Sequence, residues 1–155
     1  MKKVIVLYDS IYGNTKKVAM LLTRGLEAGN VYVDCISIQN FDIRDINKYD
    51  VIGIGVSSHL YGISKQLRLL LSKFKCYNLE GKLGFVFEIK TRKAISHSAA
   101  KRIKRSLIKK KVKLIHPIIT FKVHNKSLLE DSNSRAMEQI GLTLSDKLNN
   151  GLLQS

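Results

Sequence analysis

The chain has one proline, no tryptophan and two cysteines in 155 residues. Cys35 and Cys76 stand alone, with no CxxC pair and no metal-type spacing, so both are expected to be reduced thiols without chemistry. His97, His116 and His124 share no spacing that suggests a metal site or a Cys/His nucleophile pair. Apolar runs stay far short of the roughly 20 residues of a membrane span. The opening "MKKVIVLYDS" holds too short an apolar stretch for the roughly 7–15 residues of a signal-peptide core. A cytoplasmic protein is the expectation. Acidic residues are scarce as well: 12 stand against 27 basic ones, a formal net charge of +15. Such an excess points to acidic partners or to nucleic acid.

What is present describes a globular chain. Hydrophobic residues make up 45% and charged residues 25%, which separates it from disordered sequences. The length suits one domain spanning 1–155, and there is no internal repeat, linker or low-complexity segment. Residues 3–8, "KVIVLY", read as a buried strand. Asn14 to about Ala28 reads as a helix ended by Gly29 and Asn30. Further strands are expected at 31–38, 50–57, 82–89 and 112–123, with one helical turn in the connection 41–50. Helices are expected at 64–74, 98–110 and 134–148. This alternation predicts an α/β fold: a doubly wound, five-stranded parallel sheet with helices on both faces. Ligands of such sheets sit beyond the carboxyl ends of the strands, which directs attention to the loops after strands one, three and four.

The first of these loops reads "YDSIYGNTKKVA", residues 8–19. A helix start offers unpaired N–H groups and partial positive charge. Gly13 lets backbone come close, and Ser10 and Thr15 bring hydroxyls, a combination suited to a phosphate. The same residue types also cap helices and fill turns. The stretch is not a Walker A loop, because GxxxxGK[ST] is absent. "GIGVSS" (53–58) nearly matches a dinucleotide fingerprint, but its glycines lie inside a strand and the next helix begins too late.

The stretch "VLYDSIYGNTKKVA" resembles the phosphate loop of flavodoxin-like FMN-binding domains, especially the form in small flavodoxin-family proteins and the flavodoxin domain of flavo-diiron proteins. "DVIGIGVSSHLYGISKQLRLLL" resembles the family's third strand and following loop. "GFVFEIKTR…SHSAAKRIKRSLIKKKVKLI" and "FKV…LLEDSNSRAMEQIG" resemble its later segments, in order. The resemblance implies strand order 2-1-3-4-5 and FMN as cofactor. It implies that the loop Ser10, Ile11, Tyr12, Gly13, Asn14 and Thr15 holds the phosphate, with Tyr12 standing where flavodoxins proper often have threonine. It implies that Ser57, Ser58, His59, Tyr61 and Gly62 border the flavin ring, with Tyr61 able to stack on it. An ordinary polar loop residue is the plainer reading of His59. The fourth loop departs from the family's "FDTR": "FEIKTRKAISHS" offers either Glu88 as the acid or Thr91 and Arg92 as the TR pair.

Eight of the residues 101–113 are Lys or Arg. Ala99, Ala100, Ile103 and Leu107 make the apolar stripe of this helix, which leaves the charge on its outer face. A solvated face is the plain reading. A docking surface for an acidic redox partner is the sharper one. Nucleic acid ranks lower, since the helix has no aromatic side chain to stack on bases. The expected function is FMN-based electron transfer. The alternatives are an FMN-dependent oxidoreductase acting on a quinone, nitro compound or porphyrin precursor, and a flavin-free binding domain of the same fold.

Overall fold

Val4, Ile5, Val6 and Leu7 are all fully buried, so their strand must be covered on both faces. That strand, β1 (Lys3–Tyr8), lies inside a parallel sheet in a computed structural model that describes residues 1–10, 13–58, 62–91, 99–123 and 131–151. It is followed by α1 (Asn14–Ala28), β2 (Tyr32–Ser37), a 3₁₀ segment (Ile43–Lys48), β3 (Val51–Ser58) and α2 (Lys65–Phe74). Then come β4 (Leu83–Thr91), α3 (Ala99–Lys109), β5 (Lys113–Leu114), β6 (Ile119–Val123) and α4 (Asp131–Asn150). The strand order is β2-β1-β3-β4-β5, every pair parallel, with β6 also on β4. The expected fold and strand order are present.

One detail fills in the expected helical turn and another departs from expectation. The connection after β2 holds a six-residue 3₁₀ segment capped by Asp42, whose carboxylate accepts from the Arg44 backbone N–H at 3.0 Å. Arg44 also holds that exposed carboxyl down, to a pKa of about 2. The fifth strand, expected as one run over 112–123, is broken into β5 and β6. Leu83 faces Lys113, but Phe87 faces Ile119. The edge strand therefore carries two more residues than β4 across the break, which bulge out around Pro117. Proline has no N–H for the ladder. Lys147 of α4 donates to the freed Ile115 carbonyl at 3.1 Å.

The faces are covered differently. On one, Val4, Val6, Phe85, Phe87 and Ile89 pack beneath α1 and α4. Gly53 and Gly55 of β3 leave room there: a Cβ on Gly53 would lie 2.3 Å from the Phe85 ring, and one on Gly55 would lie 2.0 Å from the Phe87 ring. The in-strand glycines thus seat aromatic rings. The helices above also meet through glycine. A Cβ on Gly25 would lie 2.1 Å from the Glu138 carbonyl oxygen, and one on Gly141 would lie 2.3 Å from that of Leu22. On the other face, Ile52, Ile54, Val56 and Val86 pack beneath the 3₁₀ segment, α2 and α3. Ala99, Ala100, Ile103 and Leu107 point inward as expected.

Candidate functional site

The carboxyl ends of β1 and β3 form a crest tied by side chains. The Asp9 N–H donates to the Gly55 carbonyl at 2.9 Å, which pins the loop after β1 to β3. Gly13 donates its N–H to Ser10 Oγ at 2.9 Å and takes a left-handed conformation, φ 83°. Only glycine adopts that conformation without steric cost. Among the described residues nothing lies within 4 Å of where its Cβ would be. Gly13 is also the N-cap of α1. As a glycine it has no side chain with which to cap the helix, and the first turn holds no acidic residue. Lys16 and Lys17 occupy the turn instead. Lysines there oppose the helix dipole, and an anion in front of the helix would be favoured by both.

Thr15 is fully buried and its Oγ1 lies 2.6 Å from Ser57 Oγ, joining α1 to the end of β3. One hydroxyl of the pair donates, and the other keeps a proton for a further acceptor. Ser64 closes the crest. Its Oγ accepts from the Leu67 N–H at 3.1 Å as the N-cap of α2, and donates to Asp9 Oδ2. One serine hydroxyl therefore starts α2 and fastens it to the loop after β1. Gly62, just before, is left-handed at φ 86°, with nothing within 4 Å of its Cβ position.

Ser10, Gly13, Asn14, Thr15 and Ser57 are thus brought together at one crest, with the Ser58 backbone at the end of β3 and Gly62 beside it. Glu88 lies below. It is 2% exposed within β4, paired in register with Val56 and Thr120. Its carboxylate accepts from Thr120 Oγ1 at 3.0 Å and lies 3.6 Å from Lys90 Nζ. These partners meet the need of a buried carboxylate for hydrogen bonds and countercharge. Thr91 is the last residue of β4. Ile11, Tyr12, His59, Tyr61 and Arg92 lie outside the described residues, as do the side chains of Ser58 and Thr91.

Sequence reasoning did not single out Asp9, Ser64 or Lys90. Ser64 was legible as a helix cap, standing three residues before Leu67. Its bond to Asp9 spans 55 positions and has no local signal. Cys35 and Cys76 are free, with Cys76 exposed. Burial raises the pKa of the Cys35 thiol, which makes it less reactive. Among the described residues there is no cluster of His, Cys, Asp or Glu able to hold a metal, and no helix long and apolar enough to cross a membrane.

The flavodoxin family model matches residues 6–132. A flavodoxin of Clostridium saccharobutylicum is 30% identical over 86 residues, 55% of this chain and 54% of that protein. The match thus spans about half the length of that curated relative. Among solved structures, a flavodoxin from the domain Archaea superposes with a TM-score of 0.73 at 24% identity, covering 96% of this chain and 99% of that one. A flavodiiron protein from Giardia intestinalis gives 0.77 at 20% identity over 95% of this chain, which spans 36% of that larger protein. At these identities the superpositions show the shared fold.

Proposed function

The chain belongs to the flavodoxin family, whose members bind FMN as cofactor, and from that premise we propose that it is an electron carrier whose redox partners present acidic surfaces. The observation that carries this reading is the start of α1. A left-handed glycine at the N-cap, the helix N-terminus behind it and two lysines in its first turn combine backbone N–H groups and positive charge at one place. That donor set fits a phosphate monoester.

In this reading the FMN phosphate is held by backbone N–H groups of the loop from Ser10 to Thr15, with Ser10 shaping the turn through Gly13. Buried Thr15 holds Ser57, and half-buried Ser57 faces the ligand with the remaining proton. Ser58, His59, Tyr61 and Gly62 border the flavin ring, with Thr91 and Arg92 on its far side. Glu88, bonded to Thr120 and Lys90, holds β4 to β6 beside the crest. When bound, FMN supplies one-electron chemistry; the chain binds, orients and shields it. No side chain is required as a substrate acid or base. The excess positive charge draws an acidic partner into encounter, an effect that salt weakens.

The test is a visible spectrum of the purified protein with an FMN titration followed by flavin fluorescence. Flavin bands, or saturable quenching by FMN that riboflavin does not reproduce, are expected. Absence of both overturns the proposal.

A further inference from the structure

Between α2 and α3 runs an open cleft of about 430 Å³. Its α2 wall is Arg68, Leu71, Ser72 and Lys75, and its α3 wall is Arg102, Arg105, Ser106 and Lys109. Each set follows i, i+3, i+4, i+7 spacing, which is one face of a helix. The helices lead back from neighbouring parallel strands, so they run in the same direction. Arginines therefore stand toward the crest on both walls, a serine at mid-height, and a lysine at the foot. Lys110 Nζ reaches the Lys75 carbonyl at 3.4 Å and links the two feet. The apolar elements of the cleft are Ile63 and Leu71.

None of the cleft's five cations has an ion-pair partner among the described residues. Like charges gathered along one groove repel one another, and an anionic occupant relieves this. The cleft spans seven residues of helix, about 10 Å, the length of two helical turns. Its upper end is Ile63, next to Gly62 in the loop after β3, so it is continuous with the crest.

Resting on the electron-carrier reading, we propose that this cleft is the docking groove for the redox partner: an acidic helix or ridge of a protein, its carboxylates on the two basic stripes and an apolar side chain against Ile63 and Leu71. The apolar side chains of Ile63 and Leu71 and the continuity with the crest favour a protein over nucleic acid. Among its described lining residues the cleft has no aromatic side chain on which bases would stack.

The test compares two sets of equal charge loss, Arg68→Gln, Arg102→Gln and Arg105→Gln in the groove, and Lys113→Gln, Lys122→Gln and Arg135→Gln away from it. The probes are a peptide of about 18 residues with glutamates and leucines on one helical face and an oligothymidylate of similar charge, titrated into the FMN-treated protein at low salt. The groove set should weaken peptide binding roughly tenfold or more, and the distant set by about twofold. Equal losses in the two sets, no measurable peptide binding by the unaltered protein, or a groove-specific loss seen only with the oligonucleotide would each overturn the proposal. FMN quenching is read on the same samples. Its absence in the unaltered protein would refute the cofactor reading, while the peptide comparison would still report on the groove.

Discussion

The two faces of the sheet solve the same covering problem in opposite ways. Under α1 and α4 the glycines at 25, 53, 55 and 141 bring backbone against backbone and ring against strand. Under α2 and α3 each helix buries its own apolar stripe against the sheet, and the pair stays parted, leaving the basic cleft. Close approach leaves no room for side chains at the contact itself and moves charge to its exposed edge, where Arg24 of α1 lies 3.7 Å from Glu138 of α4. Separation leaves room for arginine and lysine. The first face is closely packed and the second presents charge to solvent.

The largest effect should come from violating the close approach. Gly25→Val places side-chain atoms against the Glu138 carbonyl and should cost about 3 kcal/mol in urea unfolding. Ser72→Val on the exposed wall of the cleft should stay within about 0.5 kcal/mol. Equal costs would erase the contrast between the faces. Next, Gly55→Ala should lose about 2 kcal/mol through its clash with Phe87, and Phe87→Leu added to it should return part of that loss. A double variant no more stable than Gly55→Ala would show that the ring is not the obstacle. At the crest joining the faces, Ser64→Ala should cost about 1 kcal/mol by removing the α2 cap. Because Asp9 loses its bond too, FMN affinity should fall several-fold while Ser72→Ala leaves it unchanged. The smallest effect concerns pH. Burial, then the 2.6 Å bond to Asp34, raises the pKa of Tyr49 well above its ordinary value. Above about pH 10 the unfolded tyrosine ionises while the folded one keeps its proton, so the unfolded state binds fewer protons and stability falls as pH rises. Tyr49→Phe should flatten that decline, and an unchanged slope would show that Tyr49 does not contribute to it.

The fold was legible because strand and helix periods differ and alternate cleanly along the chain. The break in the fifth strand was not. Side chains alternate with period two, so a slip of two residues leaves every residue on its original face. Hydrophobic pattern cannot register it, and only Pro117 hinted at it. The crest was legible where it is local, in Ser10, Gly13 and Thr15. The Thr15–Ser57 and Asp9–Ser64 bonds join distant segments and had no such signal. The cleft was hidden for a related reason. Each helix alone shows an ordinary polar face, and only the sheet order sets the Arg68–Lys75 stripe opposite the Arg102–Lys109 stripe.

The interrupted edge bears on how copies of this chain behave together. The outer strand of an open sheet offers unpaired backbone groups to any passing strand, the geometry from which ordered aggregates grow. Here that border is cut into lengths of two and five residues. A proline sits in the gap, and exposed Lys113 and Lys122 flank it. A neighbour aligning along this border would meet a register jump of two residues and two positive charges. The kink that spoils a tidy fifth strand thus makes this border a poor template for a neighbouring strand, while the opposite border, β2, is an unbroken strand of six residues.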